Sequence, residues 1–418
     1  MKTIKNQILL VMITVLIGCT SNGSKTQNSL NNEHQKGTYG YDVNFFKKNN
    51  IATIELNDSL TGASVLIVPD YQGRVMTSST NGLKGMSHGW INYKFIEAGQ
   101  KNNQFNPFGG EERLWLGPEG GPFSIYFKPG AEQVFANWLV PKEIDTELFE
   151  VTAKTDKSVS FKKDFVLTNA SGTQMSTGIE RTIKLLNREE IESSIGLKLN
   201  QGVSTVVYET VNSLSNLGSS EWTEKTGALS VWMLSMFNPS TEGVVFIPFK
   251  TDSTRDLGAI VNDEYFGKVP AERLLVKDGI LFFKVDGKYR SKIGITPNRA
   301  LPFAGGYDPV NKVFTLLWYD SPIQPSKYVN SKWGEQTDPF SGDVVNSYND
   351  GPVDDGSIMG PFYEIESSSP AAFLKPGEKI THTQRIYHFK GDEALLSEIT
   401  EKLFNISISE ISGAFSEP

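Results

Sequence analysis

The chain has 418 residues and a formal net charge of −8, from 40 Lys and Arg against 48 Asp and Glu. That acid surplus excludes the basic face needed to grip a phosphate backbone, so no nucleic-acid partner is expected. Hydrophobic residues at 38% and charged residues at 21% exclude wholesale disorder, while 38 Gly, 25 Phe and 14 Tyr favour turns and strands. One Cys excludes a disulfide framework, and four His leave little room for a histidine-rich metal centre, so no metal is expected.

The single Cys lies at the N-terminus. Lys2 and Lys5 form a basic start, Ile8 to Ile17 is apolar apart from Thr14, and Gly18-Cys19 follows. A bilayer-spanning helix needs about 20 apolar residues, so this shorter stretch reads as a cleaved signal peptide over residues 1–18. Gly18-Cys19 resembles the lipobox of bacterial lipoproteins, which makes Cys19 the expected acylated residue and the membrane a partner through its lipid. Acyl chains contribute about 0.8 kcal/mol per buried methylene, enough in multiple copies for stable anchoring. No Asp follows the cysteine, where it would resemble an inner-membrane retention signal; an outer-membrane lipoprotein, facing the periplasm or the cell surface, is expected. Residues 19–38 contain one large apolar side chain, Leu30, and read as a solvated tether.

From Tyr39 to the C-terminus the pattern is that of one large β-sandwich, with two packed sandwiches as the alternative. Ser64–Val68 and Arg74–Ser78 flank a Pro-Asp-Tyr-Gln-Gly turn. Val159, Phe161, Lys163, Phe165 and Leu167 alternate with polar residues, and Ile191, Ile195, Leu197 and Leu199 are expected to share a further strand face. Ile280–Val285 and Tyr289–Ile295 flank Asp286-Gly287, which predicts a tight hairpin because Asp-Gly tolerates positive φ. Strands are also expected over Lys312–Tyr319 and Lys379–Phe389. One helix is expected at Asp392–Phe404, where Leu395, Leu396, Ile399 and Leu403 recur at helical spacing behind an Asp392 N-cap.

Two segments can carry chemistry. In NPFGGEERLWLGPEGGPFSIYF, residues 106–127, paired glycines bracket a short strand-like run. Period-two alternation puts Glu111, Arg113 and Trp115 on one face and Glu112, Leu114 and Leu116 on the other. A sugar stacks its C–H face on an indole and gives its hydroxyls to charged partners, and Arg113, Trp115 and Glu119 supply that set. The same residues equally fit a buried Arg–Glu pair beneath a core Trp.

The second segment runs from Val344 to Ser367. Glu364 and Glu366 fall on one strand face about 7 Å apart, close enough for repulsion to raise one carboxyl into an acid/base range. The bland alternative leaves one exposed and the other bonded to an Arg. Asp350, Asp354 and Asp355 lack the spacing of a calcium loop and read as turn residues. His382 and His388 share a strand face about 20 Å apart, too far to serve one small site. His88, beside Trp90 and Asn92, is the best lone histidine for acid/base work. No nucleotide fingerprint, phosphate loop, CxxC or HExxH is present, so no cofactor is expected.

VPDYQGRVMTSS (68–79), GGEERLWLGPEGG (109–121) and FYEIESSSP…FLKPGEKITHTQRIYHF (362–389) resemble a family of uncharacterised bacterial lipoproteins. That resemblance runs from Tyr39 to about Lys390. The family is in turn similar in pattern to the galactose-mutarotase-like superfamily, which implies a mainly β fold, a large antiparallel β-supersandwich, here with a short C-terminal helix. It also implies a saccharide or oligosaccharide held in a cleft, with Arg113 as the early arginine and Glu364 or Glu366 as the late carboxylate. Mutarotases use a central-strand histidine as acid, whereas the matching region here, VVYETVNSLSNLG (206–218), has none. Ring opening needs an acid and a base, so classical mutarotation is not expected unless His88 or Tyr348 replaces that histidine. The expected function is therefore carbohydrate binding or processing, of epimerase or lyase type if catalytic. The alternative is a non-catalytic interaction or assembly module on the same sandwich.

Overall fold

A computed structural model describes residues 34–322 and 326–416. The expected signal peptide, Cys19 and the tether up to Glu33 lie outside the described residues. The rest of the tether is not loose. Thr38 accepts from the Tyr41 amide as the N-cap of α1 (Tyr39–Lys48) and pairs with Met86, so ordered structure begins before Tyr39, and with a helix.

Three strands follow, β1 (Ile54–Asn57), β2 (Ser64–Val68) and β3 (Arg74–Ser79), then α2 (Tyr93–Ala98) and β4 (Arg113–Gly117). Next come β5 (Glu150–Lys154), β6 (Ser158–Thr168), β7 (Gln174–Leu185) and α3 (Arg188–Ile195). The middle of the chain forms β8 (Ser204–Asn216), β9 (Ser230–Phe237), β10 (Val244–Pro248), β11 (Leu274–Lys277) and β12 (Ile280–Lys284). The last third forms β13 (Ser291–Ile295), β14 (Phe303–Asp308), β15 (Val313–Tyr319), β16 (Val345–Asn349), β17 (Tyr363–Ser368) and β18 (Lys379–Lys390). Two helices, α4 (Glu393–Phe404) and α5 (Ile408–Ser412), close the chain. Among the described residues no helix is long and apolar enough to cross a membrane.

The fold is mainly β and antiparallel, as expected. A ten-stranded sheet runs β11-β12-β10-β14-β15-β18-β8-β7-β6-β5, a five-stranded sheet runs β13-β16-β17-β9-β4, and β1-β2-β3 form a third. Inward residues of the two larger sheets, such as Ile183, Leu214, Leu317, Met233 and Ile365, share one core. The outer face of the ten-stranded sheet is half covered by α3, α4 and α5, which bury Ile191, Leu396, Ile399, Ile408 and Ile411 against Phe246, Phe314 and Phe389.

Several local expectations change. Ile191 and Ile195 are helical in α3, not on a strand. Asn187 and Glu190 form a reciprocal capping box there, and Gly196 at φ 68° ends the helix. These local signals outweigh the apparent alternation, and Leu197 and Leu199 follow in the connection after the helix.

The Asp286-Gly287 corner does turn with positive φ, but it is no hairpin. β12 pairs with β10 and β11 in one sheet, whereas β13 pairs with β16 in the other. Asp286 is held by Arg273 at 2.5 Å, and the Gly287 amide donates to Asn349 at 2.8 Å, so the corner is pinned where the chain changes layer. At α4, Asp392 is at the N-cap but makes no capping bond; it pairs with Lys312 instead.

Polar residues are also buried between the layers. Arg181 and Glu112 form a 2.7 Å ion pair with fully buried side chains. Arg181 also donates to Asn212 and to the Gly73 carbonyl, and Glu112 accepts from Thr210 and Gln384. The chain of bonds continues from Gln384 through Ser367 to His382, and from there to Asp320 at the surface.

Candidate functional site

Strand alternation gives the five-stranded sheet two chemically different faces. Ser367 bonds His382 and Gln384 of the ten-stranded sheet, so Ile365, Met233 and Leu114, which share its face, point toward that sheet and their neighbours lie on the opposite face. The register then aligns Asn346, Glu366, Leu234 and Arg113 in one row across β16, β17, β9 and β4. Lys292, Tyr348, Glu364 and Met236 form the adjacent row, and Trp232 faces Trp115 beyond them. Arg113, Trp115, Tyr348, Glu364 and Glu366 of the expected site thus share one sheet face. Glu119, two residues beyond β4, joins them from the loop.

The side chains engage one another. Lys292 Nζ lies 2.9 Å from Glu366, and Trp232 Nε1 donates to the same carboxylate at 2.8 Å. Arg113 lies 3.4 Å from Glu364 and stacks its guanidinium 4.0 Å from the Trp115 ring centroid. Lys292 also stands over the rings of Trp232 and Tyr265. Asn346 donates to the Tyr265 hydroxyl, which itself donates to Asp343.

Burial pushes the Glu364 carboxyl up to about 7, against the pull of Arg113 and with a push from Glu366. Burial likewise pushes Glu119 up to about 7, opposed by Lys292 and reinforced by Glu366. Burial alone would lower the Lys292 ammonium, but Glu366, with smaller contributions from Glu119 and Glu364, raises it above the ordinary lysine range. The face therefore combines fixed cations with carboxyls able to hold a proton near neutrality.

It is not the open cleft that a solvent-facing Trp115 and Arg113 require. Arg113 is 6% exposed, Trp115 3% and Glu366 1%. Phe105, Tyr126, Trp138 and Trp232 surround Trp115. Loops spanning residues 118–138 and 330–336 lie over this end of the sheet, with Trp333 against Trp138. The buried Arg–Glu pair beneath a tryptophan is what the structure shows, with Glu364 as the glutamate. Glu364 and Glu366 are both buried, each beside a cation, so neither is the exposed partner of the bland alternative.

Glu111 does not share the Arg113 face. Gly109 and Gly110 have φ of 80° and 118°, and Glu111 and Glu112 then bond to Met76 and Val75 of β3 before regular pairing with β9 begins at Arg113. Glu111 points inward, accepting from Ser78 at 2.7 Å and lying 3.0 Å from His388 Nε2. His88 stacks on His388 with ring centroids 4.0 Å apart. Both rings are buried, far from the Glu366 cluster in bonding terms. Burial, with His388 adding, holds His88 well below the usual imidazole range, and its ring stacks on His388, on Glu111's side of the sheet and not on Glu366. His382 and His388 occupy separate clusters, consistent with their spacing.

Residues 206–216 lie in β8 of the ten-stranded sheet, and Leu217 and Gly218 follow it. The strand between Arg113 and the two glutamates is β9, which presents Trp232, Leu234 and Met236 and likewise no histidine. Asp350 caps the Gly360 amide as a turn residue. Among the described residues no group of three or more His, Cys, Asp or Glu is placed to hold a metal. A shallow depression of about 340 Å³ on the outer ten-stranded face, lined by Ser160, Lys162, Glu180 and Ser213, includes none of the expected site residues.

Sequence reasoning missed Lys292, Trp232 and Asn346. Lys292 had a signal, a lone lysine between Ser291 and Ile293 in a strand whose other neighbours are inward and small or apolar. Nothing in the sequence pairs it with Glu366, 74 residues away.

The chain belongs to a family of unknown function (DUF6786), whose model matches residues 37–415. None of the curated proteins compared with it matches. Among solved structures it is similar to the Slr1438 protein from Synechocystis sp. PCC 6803, at 11% identity and a TM-score of 0.50, over 82% of this chain and 96% of that one. That likeness is one of fold. It is also similar to a putative aldose 1-epimerase from Escherichia coli K12, at 11% identity and a TM-score of 0.48, over 81% and 99%. A third is a putative mutarotase from Salmonella typhimurium, at 13% identity and a TM-score of 0.41, over 84% and 99%.

Proposed function

We propose that this DUF6786 protein is a membrane-anchored lipoprotein that binds a saccharide on the outward face of its five-stranded sheet. The observation that carries the reading is the cluster of Arg113, Lys292, Glu119, Glu364 and Glu366 beside Trp232 and Trp115. Sugars are recognised by charged groups that exchange hydrogen bonds with hydroxyls and by aromatic faces that take the C–H surface. In this reading Lys292, Glu119, Asn346 and Tyr348 meet hydroxyls, and Trp232 and Trp333 meet a ring face. The mutarotase-like sequence pattern points to the same ligand class.

The face also has the parts of an acid/base pair. Glu364, protonated near neutrality, can donate to one sugar oxygen, while Glu366 can accept from another about 7 Å along the strand. Glu366→Gln is expected to preserve saccharide affinity and abolish any proton-transfer turnover. The second reading, a non-catalytic interaction module, is favoured by the way Arg113 pairs with Glu364 and Lys292 with Glu366 under cover. A glycan-array screen of the folded chain separates the two: specific binding to a saccharide class supports the first, and a blank array supports the module.

Anchoring is tested independently. Cys19 is the sole thiol and follows a short apolar stretch, so Cys19→Ala should abolish acylation and leave an exported, soluble protein. Metabolic labelling with a fatty acid reads this out; label on the variant, or none on the wild type, removes the lipoprotein reading.

A further inference from the structure

Arg113, Glu364 and Glu366 are each no more than 6% exposed, so nothing can reach them in this conformation. Phe105 lies against Arg113 and Tyr265 against Lys292, and two surface loops close the Trp115–Glu119 end of the face. One carries Glu119, Gln133, Phe135 and Trp138; the other carries Ser331 to Gln336. Their tips are exposed, with Phe135 68% accessible and Val134 39%, while Trp138 and Trp333 pack beneath.

Besides the packing of Trp138 on Trp333, one side chain bonds to the backbone of both loops. Gln133 Oε1 accepts from the Gly121 amide at 2.8 Å and from the Gly334 amide at 2.8 Å, and Gln133 Nε2 donates to the Gly121 carbonyl at 2.7 Å. A primary amide offers both an acceptor and a donor at that spot. The backbones are close where this happens: a Cβ on Gly120 would come within 2.4 Å of the Lys332 carbonyl oxygen. The same contact fixes Glu119, whose amide donates to Ser331 Oγ at 3.1 Å and whose carboxyl is bonded by Trp333.

We infer that the two loops form a lid over the Arg113–Glu366 face, fastened by Gln133, and that ligand entry requires this fastening to open. The inference rests on the reading of that face as a binding site, but its test needs no sugar. Surface loops held by a few hydrogen bonds open locally at far lower cost than the sheets beneath them. Gln133 is also a positioning residue for Glu119, since both lie on the segment that the fastening immobilises.

The experiment is hydrogen exchange by mass spectrometry on the full chain, with acrylamide quenching of tryptophan fluorescence alongside. In Gln133→Ala, peptides covering residues 119–124 and 331–336 are expected to exchange faster by on the order of tenfold, with strands β6 to β8 unchanged. Acrylamide should quench more strongly, because Trp115, Trp138, Trp232 and Trp333 lie under or in the lid. Gln133→Glu keeps the two acceptor contacts and loses the donated bond, so it should fall between wild type and Gln133→Ala. Unchanged exchange in both loop segments overturns the lid, as does acceleration spread equally over β6 to β8. If the loops open as expected but no saccharide binds, the lid stands and the ligand class falls.

Discussion

Replacing Arg181 with Met is expected to cost about 3–5 kcal/mol of folding free energy, among the largest losses available from a single substitution in this chain. The reason is what it leaves behind. Glu112 would lose the 2.7 Å partner that balances its charge, at a point where neither side chain has any solvent contact. Thr210 and Gln384 would still donate to the carboxylate, but two neutral donors do not replace a guanidinium. Asn212 and the Gly73 carbonyl would each lose a donor as well. Adding Glu112→Gln removes the stranded charge, so the double variant should recover most of the loss. Urea denaturation measures both, as a lower midpoint at unchanged slope.

Trp115→Ala is expected to cost about 3–5 kcal/mol, the range for emptying a large aromatic site in a core. Trp115 is 3% exposed and touches Phe105, Tyr126, Trp138 and Trp232, besides carrying the Arg113 guanidinium on its face. A solvent-facing stacking platform would lose little stability on truncation. The structure therefore turns the tryptophan of the GGEERLWLGPEGG block from a cleft residue into the floor that holds Arg113 in place. Urea denaturation again decides it; a loss below about 1 kcal/mol would mean that Trp115 is far more open in solution than its packing indicates.

Much of the fold was legible because antiparallel strands write a period of two into the sequence. β6 fell where alternation placed it, β15 and β18 fell where strands were expected, and the β2–β3 turn followed from Pro69 to Gly73. The same period put Arg113 with Trp115, and Glu364 with Glu366. Alternation describes one strand at a time, however, and cannot say which strands become neighbours. That Glu366 meets Lys292 and Trp232, and that Glu112 meets Arg181, are consequences of strand order, which is set by the whole core. The Asp286-Gly287 corner shows the same limit: the turn chemistry was right, but Arg273 and Asn349, the latter 62 residues from Gly287, pin it where the chain passes between two sheets. Glu111 failed for a local reason, since it lies before β4, its amide bonded to Met76, and regular pairing with β9 begins only at Arg113. α3 failed because a capping box and a terminal glycine outweighed four branched residues that mimic a strand.

The covering of the site was invisible for a further reason. Gln133, Gly121 and Gly334 come from loops with no periodic signal, and their contact depends on two chain segments about 200 residues apart arriving at the same edge. The sequence shows the carboxylates, while the fold shows that they are closed in.

The central claim is that the outward face of the five-stranded sheet takes a saccharide. Its most direct test is calorimetric titration of the best glycan-array ligand into wild type and into Lys292→Met and Arg113→Lys, each first shown to be folded. Lys292→Met should weaken binding by on the order of tenfold or more, because a charge-assisted donor to hydroxyls is lost. Arg113→Lys should weaken it too, because an ammonium cannot reproduce the planar two-donor fork. Unchanged affinity in both folded variants would contradict the account and place the ligand elsewhere on the molecule.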